Sequence, residues 1–182
     1  MKKRLFLTGP IGCGKSTAIA SALGERIAQY GGFRTRRYLQ PHLHFALEST
    51  DGEEKRIFLD FASGKPELDL SAFSHLDLSG RVLLLDEIGG IELLNPDFRI
   101  ALDECINRDI PIIGVLKGEG AAGALMDTLG LSDIYEREAR QLRQRLQTDP
   151  DTLVYPCGQF DATASQLARQ WVEEYLPVEE CL

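Results

Sequence analysis

The chain has 182 residues, 43% hydrophobic and 26% charged, with a formal net charge of −8. That length suits one domain, which buries about 70% of its unfolded surface and needs neither a disulfide nor a structural metal to fold. The acidic balance argues against a nucleic-acid partner, which requires a basic face, and still allows a locally positive pocket for a small anion.

Residues 4–9, "RLFLTG", read as a strand, and residues 15–30 as a helix ended by Gly31-Gly32. "FRTRRYL" and "LHFALES" read as a hairpin crossing a turn at Pro41, continued by "KRIFLDF". Residues 62–80 are polar and read as a loop with a short helix at 71–76. "RVLLLDEIGG" predicts a strand at 81–86, because so short an apolar run before a Gly-Gly turn is buried on both faces. A helix over 96–108, a strand over 111–116 ("PIIGVL") and a strongly charged helix over 133–147 follow. A strand at 152–156 and a closing helix at 161–176, capped by Asp161, complete the series. Strands alternating with helices indicate the α/β class: a mainly parallel sheet with helices on both faces, plus a β-hairpin. With no repeat and no long linker, residues 1–182 are expected to form a single nucleotide-binding domain.

The cysteines Cys13, Cys105, Cys157 and Cys181 stand far apart and fit free thiols in a reducing cytosol. No apolar run approaches the roughly 20 residues of a membrane helix, and the N-terminus lacks a signal-peptide core. A cytoplasmic protein without a membrane partner is expected.

The first strand leads into "GPIGCGKST", which fits G-x-x-x-x-G-K-[ST] at Gly9, Gly14, Lys15 and Ser16. Glycines let the backbone wrap a phosphate and aim its N–H groups inward, and Gly12 loosens the loop further. The helix that starts at Lys15 adds the positive end of its dipole. Lys15 would reach the β- and γ-phosphates, and the Ser16 hydroxyl would ligate Mg²⁺. The candidate phosphate-binding set is Gly9, Pro10, Gly12, Cys13, Gly14, Lys15, Ser16 and Thr17. Cys13 raises a second reading, redox control, which depends on its exposure.

The apolar run 82–85 stops on Asp86 and Glu87. A carboxylate at the end of a buried strand needs a counter-charge, and in a P-loop fold that place belongs to the acid that holds Mg²⁺. Asp86 is placed for this. Glu87, one residue on, would orient or deprotonate the water that attacks the γ-phosphate, or else serve as a salt-bridged structural acid.

The segments "GPIGCGKST", "GGFRTRR" and "LLLDEIGGIELL", with "PELDLSAFSHL" between the last two, resemble the small P-loop nucleoside-triphosphatases known as cancer-related nucleoside triphosphatases. The resemblance covers about residues 4–117. It implies a RecA-like core, Mg²⁺ dependence and slow hydrolysis of several nucleoside triphosphates, ATP and GTP among them, to diphosphate and phosphate. Carried over by position, Gly14, Lys15, Ser16 and Thr17 meet the phosphates, Asp86 meets Mg²⁺ and Glu87 meets the water. Two departures stand out: Gly90 occupies a position where the family has lysine, and 133–147 looks like a charged helical insertion.

Arg34 and Arg36 share one face of their strand and Arg37 takes the other. They would bind a phosphate, or else form a charged edge strand. Arg137, Arg140, Arg143 and Arg145 lie at near-helical spacing, either as a lid that supplies an arginine or as an ion-paired solvated face. His42, His44 and His75 make no metal set and read as solvated loop residues, while Trp171 fits a packing face. Two rivals to the hydrolase share the cradle: a nucleotide or small-molecule kinase, and a slowly hydrolysing nucleotide-dependent switch.

Overall fold

The structure is a computed structural model that describes residues 1–74, 76–120, 122–159 and 161–176. His75 and Cys181 lie outside the described residues. The chain forms β1 (Arg4–Gly9), α1 (Lys15–Leu23), β2 (Gly31–Tyr38), β3 (His44–Ser49), β4 (Lys55–Asp60), β5 (Glu67–Leu68) and β6 (Leu83–Ile88). Then follow α2 (Pro96–Asn107), β7 (Ile112–Lys117), α3 (Gly123–Leu129), α4 (Ser132–Thr148), β8 (Thr152–Pro156) and α5 (Ala162–Tyr175).

The sheet order is β5-β4-β3-β2-β6-β7-β1-β8. Pairs β2–β6, β6–β7, β7–β1 and β1–β8 are parallel, and β2–β3, β3–β4 and β4–β5 are antiparallel. The expected hairpin and its continuation thus extend the parallel sheet on one side. Strand alternation divides the core into two clusters. Phe6, Leu83 and Leu85 pack with Phe98, Leu102, Met126, Tyr135 and Leu146 under α2, α3 and α4. Leu5, Leu7, Leu84, Ile113 and Val115 pack with Ile19, Leu23, Ala168 and Trp171 under α1 and α5. Trp171 is fully buried and its indole N–H donates to the Lys3 carbonyl at 3.1 Å.

Several boundaries differ from expectation. α1 stops at Leu23 because Gly24 adopts φ +57°, and Gly24–Gln29 continue as a 3-10 turn. The helix expected at 71–76 is a 3-10 turn at Leu70–Phe73, capped by Asp69, which accepts from the Ser71 N–H at 2.9 Å. α3 was not expected at all: its seven residues follow a Gly- and Ala-rich stretch that reads as loop. β2 lies between β3 and β6, so the edge-strand account of its arginines fails. α4 is amphipathic, burying Tyr135, Leu142 and Leu146, and its charged face pairs with α2 through Arg99–Glu138 at 2.9 Å and Arg145–Asp103.

Candidate active site

The site is built where β1, β6 and β7 end side by side. β1 delivers the chain into the loop 10–14, and α1 starts at once on Lys15. Gly9 turns at φ +143°, and a Cβ there would overlap the Cys157 carbonyl oxygen, so only glycine lets the loop pass this close to the end of β8. Lys15 is buried, and its Nζ donates to the carbonyls of Gly9 at 2.9 Å and Pro10 at 2.7 Å. The ammonium is thereby held across the mouth of the loop. Cys13 Sγ also lies 3.6 Å from Lys15 Nζ, but Cys13 is buried in the cluster beneath α1 and α5. That placement argues against the redox reading, since thiol chemistry needs exposure.

Asp86, 6% exposed at the end of β6, accepts a hydrogen bond from Ser16 Oγ at 2.8 Å. The two motifs, 70 residues apart, thus meet at one point. Burial pushes the Asp86 carboxyl up to about 6, opposed by the Ser16 hydrogen bond and reinforced by the neighbouring Glu87 charge. The positive charges of Arg36 and Arg34 also draw it down, without offsetting the cost of burial.

Glu87 sits at an irregularity of the β6–β7 ladder. Asp86 is opposite Val115 and Ile88 is opposite Leu116, which leaves Glu87 as the extra residue of a bulge. A bulge re-aims a side chain, and here Asp86 and Glu87 both line one cavity instead of opposite faces. Glu87 Oε2 lies 3.2 Å from Lys117 Nζ, and the Glu87 N–H donates to Thr35 Oγ1 at 3.4 Å.

Lys117, at the end of β7, and the buried Glu92 were missed from the sequence. Burial works to lower the Lys117 pKa, but Glu87 and Glu92 outweigh it and hold the ammonium above its ordinary value. Burial pushes the Glu92 carboxyl up, against Lys117 and the Gly90 N–H, which donates to Glu92 Oε1 at 2.7 Å. Gly90 makes room for this group: a Cβ there would lie 2.9 Å from Glu92 Oε2 and 3.2 Å from Lys117 Nζ. The signal was legible, since "PIIGVLK" ends a buried apolar run on a charge just as "LLLDE" does.

The cavity these groups line has a volume of about 680 Å³ and includes Gly12, Gly14, Lys15, Ser16 and Thr17 from the loop. Gly9 and Pro10 contribute carbonyls to Lys15 and do not line the cavity, nor does Cys13. Arg34 and Arg36 pair with Glu48 at 3.8 and 3.5 Å and are not among the residues that line the cavity, while Arg37 lines it. Arg143 donates to the Lys117 carbonyl at 2.5 Å and pairs with Glu119, and Arg137 pairs with Glu138. The α4 arginines therefore work mostly as a docked, ion-paired face. His44 is buried, not solvated, and its ring stacks on Tyr38 with centroids 4.8 Å apart, while His42 pairs with Asp60 at 2.8 Å.

Residues 4–140 match the family model described as NTPase. The chain belongs to the NTPase family. It is accordingly a nucleotide-binding hydrolase. The family match runs past residue 117 and into α4. The chain is also 28% identical over 131 residues to a protein named nucleoside-triphosphatase THEP1 from Methanocaldococcus jannaschii, covering 62% of this chain and 77% of that relative. A crystal structure of THEP1 from the hyperthermophile Aquifex aeolicus superposes with a TM-score of 0.60 at 18% identity, over 90% of this chain and 96% of the other. That likeness establishes the NTPase fold for the sheet and helices described above. Among the described residues no helix is long and apolar enough to cross a membrane.

Proposed function

We propose that this NTPase cleaves the β–γ anhydride of nucleoside triphosphates, releasing diphosphate and phosphate, within one domain formed by residues 1–182. The observation that carries this reading is the convergence of Lys15, Ser16, Asp86 and Glu87 on one cavity. Lys15 and the loop N–H groups bind the phosphates and stabilise charge that develops as the bond breaks. Glu87, held by Lys117 and by the Thr35 hydroxyl, orients the attacking water and accepts its proton.

The donor set fits Mg²⁺. Hydroxyl and carboxylate oxygens are hard ligands, Ser16 Oγ and Asp86 already lie 2.8 Å apart, and burial keeps the Asp86 carboxyl raised despite Arg36 and Arg34, so a cation there would favour its charged form. Ser16 and Asp86 would hold the ion. When bound, it neutralises charge on the β- and γ-phosphate oxygens. The buried free thiols of Cys13, Cys105 and Cys157 suit a reducing cytoplasm.

The test is phosphate release from ATP, GTP, CTP and UTP with Mg²⁺, for the wild type and Glu87→Gln. The expected outcome is release from several nucleotides, lowered roughly 10²- to 10⁴-fold in the variant and lost on chelation. Nucleotide binding without release by the wild type would sink the hydrolase assignment of these residues.

A further inference from the structure

The cavity, about 680 Å³ in volume, has two parts of unlike chemistry. Its loop end suits a triphosphate. Its other end is apolar, lined by Leu43, Phe45, Phe58, Phe61, Phe73 and Leu125. The rings are clustered, with centroids of Phe58 and Phe73 5.0 Å apart and those of Phe45 and Phe58 6.3 Å apart. A pocket of this size with apolar walls and a few convergent polar groups is the usual form of a small-molecule site.

The nucleoside does not belong in that end. Ser16 and Asp86 mark the β- and γ-phosphates, and Glu87 lines the same cavity beside Asp86. The strand order places the aromatic walls, carried largely by β3 and β4, on the far side of β6 from the loop, whereas β8 lies on the opposite flank of β1. A nucleotide that presents its γ-phosphate to Glu87 therefore directs its base towards β8.

We propose that the apolar compartment admits an aromatic alcohol bearing an anionic group, and that this alcohol accepts the γ-phosphoryl group in competition with water. The inference rests on the phosphate placement proposed above. The ring packs among the phenylalanines, and the hydroxyl reaches Glu87. The anion meets Arg37, which lines the cavity and, unlike Arg34 and Arg36, has no ion pair among the described residues. The alcohol oxygen forms a bond to the γ-phosphorus as the bond from that phosphorus to the β–γ bridging oxygen breaks. The electron pair leaves with the nucleoside diphosphate, the hydroxyl proton passes to Glu87, and the product is a phosphate monoester. Apolar walls favour this route over hydrolysis by holding the alcohol against the phosphate and excluding water.

The experiment incubates the protein with ATP, Mg²⁺ and para-hydroxymethylbenzoate, with benzyl alcohol as the uncharged comparison. Phosphorus NMR counts ADP, inorganic phosphate and monoester. Monoester that saturates with probe, and forms more readily from the benzoate, is expected. In Arg37→Ala the monoester-to-phosphate ratio should fall roughly threefold for the benzoate and stay unchanged for benzyl alcohol. Inorganic phosphate as the sole product at every probe concentration overturns the proposal. So does inhibition competitive with ATP, which would put the base in the compartment. Absence of ADP without any probe would instead count against the hydrolase reading itself, so the two failures are distinct.

Discussion

Lys117 Nζ lies 3.2 Å from Glu87 and is flanked by the buried Glu92, so two acids share one cation at the edge of the phosphate site. Without it the Glu87 carboxylate loses its anchor, while Lys15 and the loop N–H groups still hold a triphosphate. Lys117→Ala should therefore lower kcat by roughly 10- to 100-fold with a much smaller change in KM for ATP, and Lys117→Arg should recover part of the loss. Steady-state phosphate release checks this. Equal losses in binding and turnover would show Lys117 gripping the nucleotide directly. Gly90→Ala acts on the same group, because the nearest atoms its Cβ would meet belong to the side chains of Glu92 and Lys117. Activity should fall in that variant while the melting temperature hardly moves.

At the scale of elements, helix ends do much of the positioning. Asn95 caps α2: its Oδ1 accepts from the Phe98 N–H at 2.9 Å, and its Nδ2 donates to the Leu70 carbonyl at 2.7 Å and Ser74 Oγ at 2.9 Å. One buried side chain thus fixes α2 against the 3-10 turn that carries Phe73 to the cavity. Asn95→Ala removes the cap and strands a buried carbonyl, so it should cost about 2 kcal/mol in urea unfolding. Asn95→Asp keeps the cap but loses both donors, and should fall between. The Asp161 cap, which accepts from Thr163 and Ala164 N–H groups at 2.9 and 3.2 Å, stands where the sequence placed it. Capping was readable there because it involves only neighbours in the chain. The break at Gly24 was missed because glycine is tolerated within many helices, and only the backbone φ marks it as a stop.

At the scale of the whole molecule, Arg4 ties together the start of β1, the end of α2 and the link from α4 to β8. Its guanidinium donates to the Ile106 carbonyl at 3.0 Å and to Asp149 Oδ2 at 3.1 Å. Burial alone would raise the Asp149 pKa, but the Thr152 hydroxyl, the Asp151 N–H and Arg4 together hold it below its ordinary value of 3.8. A carboxyl with a depressed folded pKa adds stability that is full above the unfolded value and is lost as pH falls through the folded one. Asp149→Asn should therefore cost about 2 kcal/mol at neutral pH, and its deficit against the wild type should shrink once pH drops below about 3.9. Urea unfolding of both proteins at neutral and acid pH measures it. A deficit that stayed constant into strong acid would show that the charge of Asp149 is not what stabilises the link.

The sequence alone determined most of the order of strands and helices around the parallel core, α3 and the short β5 apart, with the phosphate loop at 9–17 and the acidic strand end at Asp86 and Glu87. These are written in short-range terms: short unbroken apolar runs, helical spacing, glycines where a loop must wrap a phosphate. Membership of the NTPase family was legible for the same reason, since its signatures are contiguous. Only the tertiary structure decided what each charge meets. Ser16 finds Asp86 across 70 residues, Lys117 arrives beside Glu87 because β7 pairs with β6, and Glu48 on β3 pairs with both Arg34 and Arg36. The bulge at Glu87 and the aromatic compartment belong to the same class, because strand register and the packing of distant strands set them. Such pairings depend on energies summed over the whole sheet, and no local window of sequence carries them.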